Sequence, residues 1–425
     1  MKEDFLHYIW QFQQFNKTNL FSFEGNELNI IKIGQKNLNS GPDFSEARIS
    51  VDGIEWAGQV EIHIFSDEWY KHKHEEDFNY QNVILHVVWE HKIPVKRTDG
   101  TIIPTLELKS RIFQDTLGKY YNLLAKKHEI ACASSFKEVS ELTKLTMLEK
   151  ALANRIEKKT EFIGELLKKC VGDWEEVSYR VFLKNFGFKL NSDSFLRLAE
   201  NLPLKILLKH KDNTFQIEAL LFGQAGFLDL CEDDYSKQLK TEYDFLAHKY
   251  GLKNGKMLRT DWKFLRTRPG NFPTVRLAQL AAIIQKIPNV FSFIISNPIN
   301  EDAIAILRAS PSTYWQEHYD FNKLAKNKLA GLGRASAENV LINTFVNLLA
   351  AYSSAVGNHT FFEKAIGILE QLKPENNFIT DKWNNLGLEI KSSFDSQAVI
   401  EQYNEFCLPL KCLSCPIGIN ILQTK

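Results

Sequence analysis

The sequence predicts a mixed α+β / α/β domain over residues 1–135, a mostly α-helical domain over 136–405 and a cysteine-bearing tail over 406–425. Three observations carry this prediction. Short apolar runs of strand length, separated by Asn, Asp, Gly and Pro, fill the chain up to about residue 110. From about Ser140 the apolar period becomes helical, with Leu142, Leu145, Leu148, Leu152 and Ile156 at steps of three and four. Cys407, Cys412 and Cys415 crowd the far end.

Taken in order, Glu3 to Phe15 reads as an amphipathic helix through Phe5, Ile9, Trp10 and Phe12. Strands follow at Leu28–Ile33, Ala47–Val51, Gly58–Phe65, Val83–Trp89 and Ile102–Leu108. The turn signals between them are Asn39-Ser40-Gly41-Pro42, Asp52-Gly53 and Asp99-Gly100, and Asp52-Gly53 marks a two-residue hairpin. Val83–Trp89 is nearly all apolar, the pattern of a strand buried on both faces. Helices are expected near 174–186, 192–200, 216–230, 239–249, 274–286, 299–308, 320–330, 336–353, 359–371 and 395–406.

Lysine plus arginine total 52 and aspartate plus glutamate total 52, so the formal net charge is zero. This excludes nucleic-acid binding by bulk positive charge, but not a local basic patch. The first residues carry acids where a secretory leader carries only basic residues, and the apolar runs are shorter than the roughly 18 residues a membrane span needs. A cytoplasmic protein without membrane attachment is the expectation. Six cysteines in 425 residues are too few for a disulfide scaffold.

Residues 41–91 hold the densest chemistry. Alternate strand side chains share a face, so Val60, Ile62 and Ile64 point into the core while Glu61 and His63 point together to the other face. If the flanking strands pair across Asp52-Gly53, Asp43 lies near both. An Asp, a Glu and a His on adjacent strands make a hard, mostly oxygen site suited to Mg²⁺ or Mn²⁺. An ion there would acidify water and stabilise charge on a transferring phosphoryl group. His72, His74 and His86 are secondary candidates. A polar strand face with hydrogen-bonded histidines accounts for the same spacing.

The order helix, strand, Pro42-Asp43, hairpin, Glu61-Ile62-His63 and a further buried strand resembles the PD-(D/E)XK nuclease core. That resemblance implies a restriction-endonuclease-like fold with Asp43 and Glu61 around a divalent metal. The family's lysine position is occupied by His63. Histidine, with a reference pKa of ~6.5, is mostly neutral at pH 7. His63 would then act as a ligand or a general base, with Lys71 or Lys73 supplying the missing charge; an inactive nuclease fold is the alternative. The chain also resembles the bacterial domain-of-unknown-function family 2851. The similarity runs through Gly41–Phe44, Gly58–His63, Trp69 with His72 and His74, Val83–Val88, Gln216–Gly226, Arg268-Pro269 with Asn271-Phe272-Pro273 and Arg276, and Cys412-x-x-Cys415-Pro-Ile-Gly.

Cys407, Cys412 and Cys415 have the form C-x(4)-C-x(2)-C, which suggests soft-metal ligation. Cys132 is the expected fourth ligand, with His128 as the alternative. The set resembles that of the iron–sulfur nucleases of the same superfamily, although their single cysteine precedes the core and Cys132 follows it. Zinc and an iron–sulfur cluster both fit such ligands, and buried reduced thiols are the plain alternative.

Between Lys256 and Arg276, Lys256, Arg259, Lys263, Arg266, Arg268 and Arg276 face a single acid, Asp261, and Trp262, Phe264 and Phe272 interleave. Arginines grip phosphates and aromatics stack bases, whereas a solvated face over core aromatics reads the same. Gly223-Gln224-Ala225-Gly226 suits close helix packing, and Gly331-Leu332-Gly333 a plain helix connection more than a phosphate-binding hairpin. The functional expectation is a metal-dependent nuclease acting on DNA or RNA. The alternatives are a catalytically inactive nuclease-fold protein serving as a nucleic-acid-binding or scaffold module, and a hydrolase of a small substrate.

Overall fold

The computed structural model describes residues 1–37, 40–125, 129–231, 233–265, 267–287, 289–296 and 301–424. The chain forms two compact units, Met1–Glu149 with Gln402–Lys425, and Lys150–Glu401. The cysteine segment therefore counts with the first unit, and the helical unit starts at Lys150 where residue 136 was expected.

The first unit is built on a mixed sheet. Its strands are β1 (Leu28–Lys32), β2 (Gln35–Lys36), β3 (Phe44–Val51), β4 (Ile54–Phe65), β5 (Val83–Glu90) and β6 (Thr105–Glu107). The order is β1-β3-β4-β5-β6, with β2 paired to β3. β1, β3 and β4 form an antiparallel meander, while β4, β5 and β6 run parallel. Asp52 and Gly53 join β3 to β4 at φ 49° and 82°, the two positive values of a type I′ turn. Val51 faces Ile54 across that turn, which fixes the register. A bulge at Glu46 (φ 54°) then shifts the pairing between Phe44 and Ala47.

Period-2 alternation sorts β4. Val60 and Ile62 are fully buried in one cluster with Leu85 and Val87 of β5 and with Phe5, Ile9 and Trp10 of α1 (Glu3–Gln11). The Trp10 indole donates to Ile33 O at 3.0 Å, tying the helix to the segment after β1. Leu422 of the tail helix Pro416–Gln423 joins the same cluster. The opposite face is roofed by the crossover between β4 and β5, which carries α2 (Glu68–Lys71) and a 3₁₀ turn (Phe78–Tyr80). Trp69, Tyr80, Val83, Val95 and Ile103 form a second small core there.

The second unit is mostly helical. Its helices include Trp174–Phe186, Phe188–Asn201, Thr214–Gln224, Asp234–Tyr250, Pro273–Lys286, Glu301–Leu307, Thr360–Gln371 and Ser393–Glu401. The run Arg334–Val356 is long and apolar enough to cross a membrane, but 67% of its 18-residue apolar window is buried, as in a core helix. One expected helix needs correction. Residues 320–330 are not helical: His318–Asp320 and Lys323–Leu324 pair as a short hairpin. Asn322 turns the chain at φ 54°, and the Asp320 carboxylate accepts from the Phe321 N–H at 3.0 Å and from Arg259 at 2.6 Å. These local bonds compete with helix formation. Helices over Gln114–Leu124, Val290–Ser296 and Phe378–Asn385 were not foreseen.

Gly223 lets two helices of this unit touch, since a Cβ there would meet the Tyr243 ring at 2.1 Å. Tyr243 is itself anchored, donating to Gln224 Oε1 at 3.0 Å. Gly223→Ala is therefore expected to destabilise the unit by about 1–3 kcal/mol. Chemical denaturation measures this, and an unchanged midpoint would show that the ring can yield.

Candidate metal centre

The site grows from β3 and β4. The Asp43 carboxylate, just before β3, accepts the Ile62 N–H at 3.0 Å, while Glu61 accepts the Asp43 N–H at 3.1 Å. These reciprocal bonds lock the two acids side by side. Glu61 Oε1 lies 3.5 Å from His63 Nε2 and 3.4 Å from His74 Nε2. His86, opposite Glu61 in the parallel register of β5, places Nε2 2.8 Å from His63 Nδ1. His72 Nδ1 lies 3.2 Å from His63 Nε2.

The roof fixes these rings. Tyr80 stacks on His74 with centroids 3.8 Å apart, and Trp69 meets His74 edge-on. Glu68 accepts the Ile64 and Phe65 N–H groups, both at 2.9 Å, and so pins the end of β4 to α2. His72 is the exposed member of the set, whereas His63, His74 and His86 are buried.

Helix α1 adds two residues that the spacing arguments missed. His7 is buried, with Nε2 3.2 Å from Asp43 Oδ2 and 3.7 Å from Glu3 Oε1. The signal was present: a histidine on the apolar face formed by Phe5, Leu6, Ile9 and Trp10, four residues after an acid. Lys71 pairs with Asp67 at 2.9 Å on the surface, and Lys73 is exposed. The nitrogen group beside Asp43 is thus the His7 imidazole.

Burial and the carboxylates of Asp43 and Glu3 push the Glu61 carboxyl up to about 9. Burial, followed by the neighbouring imidazoles, pulls His63 down to about 2, His74 to about 4 and His86 to about 3. Desolvation disfavours charge of either sign, so the protein alone holds neutral rings beside a neutral acid. Neutral imidazoles with free lone pairs are the state that ligates metals. His7 Nε2 and His74 Nε2 are buried without a hydrogen-bond partner, so the cluster is not satisfied by its own hydrogen bonds. The residues fit a divalent ion.

The four cysteines named from sequence also converge. Gln402 Nε2 donates to Cys415 Sγ at 3.2 Å and to Cys407 Sγ at 3.7 Å, so both sulfurs flank one amide. Burial and then the nearby Cys415 and Cys412 push the Cys132 thiol up to about 12. Burial and Cys415 push Cys412 to about 11, and Cys407 is raised by burial and by the other three. His128 lies outside the described residues.

The basic strip of the second unit is largely committed inward. Arg276 is buried, donating to Gln279 Oε1 at 3.0 Å and Asn271 Oδ1 at 2.7 Å, and cannot present itself to a phosphate. Arg259 pairs with the buried Asp320, and Lys256 with Asp229. Lys263 and Arg268 are exposed, and Arg266 lies outside the described residues. Trp262 donates to Ala225 O at 2.8 Å and Phe264 packs on Phe272, so these aromatics are engaged with the protein.

No curated protein and no solved structure matches the chain. A family model matches residues 3–378, a span that contains every residue of the histidine–carboxylate cluster and Cys132 but ends before Cys407. The chain belongs to the family described as "protein of unknown function (DUF2851)".

Proposed function

We propose that the first unit is a metal-dependent phosphodiesterase with a nuclease-like core, acting on DNA or RNA. The observation that carries this reading is the Asp43–Glu61 pair, locked by reciprocal backbone bonds at the end of an antiparallel meander. The order helix, meander, crossover and parallel strand supports kinship with the PD-(D/E)XK core. Asp43 and Glu61 would hold Mg²⁺ or Mn²⁺, with His63 as a further ligand. An ion so held supplies positive charge against phosphoryl oxygens and acidifies water at neutral pH. Asp43 and Glu61 hold their oxygens in place through β3 and β4, and His86 orients the His63 ring. The His63 ring is too weakly basic, at about 2, to serve well as a general base, which favours the ligand role.

Purified protein is expected to cut single- or double-stranded nucleic acid when Mn²⁺ or Mg²⁺ is present and to stop when the ion is chelated. One observation favours a second reading: His63 stands where the nuclease family carries lysine, and Lys71 pairs elsewhere. Salt-sensitive nucleic-acid binding without cleavage would support a non-catalytic module built on the same core.

The cysteine quartet fits a structural role beside this chemistry. Four thiols from Cys132, Cys407, Cys412 and Cys415 suit zinc or an iron–sulfur cluster. Such a site would join the tail to the segment after the sheet.

A further inference from the structure

We infer that His63, His72 and His74, with Glu61 beside them, form a nitrogen-rich subsite that takes a transition-metal ion of the zinc class rather than Mg²⁺. One ring nitrogen from each histidine lies within 4.8 Å of the other two. The 3.2 Å between His63 Nε2 and His72 Nδ1 is close to the edge of a tetrahedron around an ion with bonds of about 2.0–2.1 Å, roughly 3.3 Å. Glu61 Oε1, at 3.5 Å and 3.4 Å from His63 Nε2 and His74 Nε2, would add a carboxylate oxygen beside two of the three rings.

Three further features point to a ligand and not to a self-satisfied cluster. His74 is 9% exposed and its Nε2 has no hydrogen-bond partner. His63 uses its other ring nitrogen on His86 at 2.8 Å, the outer contact that orients a metal-binding imidazole. The His74 ring is held by Tyr80 and Trp69, while exposed His72 leaves a way in from solvent. Imidazole suits zinc, copper, iron and nickel, whereas Mg²⁺ prefers an all-oxygen shell and keeps its waters. Glu61 and His63 are shared with the Asp43 site; with Nδ1 on His86, His63 has one nitrogen to give, so an ion held by the three histidines leaves the Asp43 site with Asp43 and Glu61.

The subsite stands whether or not the protein hydrolyses nucleic acid. Chelator-treated full-length protein is titrated with Co²⁺ and followed by visible absorption. Nitrogen–oxygen ligation gives d–d bands without the near-ultraviolet thiolate charge transfer that cobalt at the cysteines would give. Wild type and Asp43→Asn are expected to bind one equivalent in this way. His72→Asn and His74→Asn are expected to weaken that binding by ~100-fold or more. His72 is exposed, so its variant tests the site without threatening the fold; circular dichroism checks both. Unchanged affinity in the two histidine variants, or no thiolate-free band in wild type, overturns the inference. Binding that survives in a protein lacking nuclease activity upholds it while counting against the hydrolytic reading.

Discussion

Asp43→Asn and Glu61→Gln are each expected to lower metal-dependent phosphodiester cleavage by on the order of 10³-fold, equivalent to about 4 kcal/mol of lost transition-state stabilisation. Both substitutions keep a side-chain oxygen for the backbone bonds they serve, Asp43 to the Ile62 N–H and Glu61 to the Asp43 N–H. The fold should therefore survive, and the loss would report charge at the ion and not collapse of the strand pair. Cleavage that persisted in both variants would remove the assigned site. Measuring Mn²⁺ affinity on the same proteins separates lost binding from lost chemistry.

The second large effect is expected at the cysteines. Cys415→Ser should release the bound metal and cost about 3 kcal/mol or more, because binding energy at a structural metal site is folding energy. For a unit of this size that lowers the melting temperature by about 6–12 °C. Metal analysis and thermal melting of anaerobically purified protein give the answer. A brown chromophore lost in the variant identifies an iron–sulfur cluster, and a colourless stoichiometric ion identifies zinc. Wild-type protein free of metal, melting with the variant, would leave the four thiols as ordinary buried side chains. Cys415 and Cys407 share the amide of Gln402, so loss of packing alone would give a smaller drop, unaffected by chelators.

Local signals carried the strand half of the site. Asp52-Gly53 dictates a type I′ turn, the turn fixes the register, and period-2 alternation then sets Glu61 and His63 on one face of β4. That chain needs only neighbours in sequence. What lay beyond it depends on tertiary packing. A polar face on β4 reads as solvated, yet Glu61 and His63 are 5% and 2% exposed because the crossover bearing Trp69 and Tyr80 folds over them. Nothing local in residues 66–82 states that they form a roof. His7 reaches Asp43 only because α1 docks on the sheet through Phe5, Ile9 and Trp10.

The basic strip shows the opposite failure. Composition counts charges but does not say which way they face, and Arg276 and Arg259 are spent on internal partners. The expected helix over 320–330 failed for a related reason, since the bonds of the Asp320 side chain outweigh a weak helical period. The convergence of Cys132 with the tail was suggested by ligand counting alone, because no local pattern links residues so distant in sequence.

An ion held by Asp43, Glu61 and His63 would be visible in anomalous diffraction from crystals soaked in Mn²⁺. The expected result is a peak within bonding distance of the Asp43 and Glu61 carboxylates and the His63 ring, absent from Glu61→Gln crystals. A clean map at that position, with both acids ordered as they are here, would contradict it.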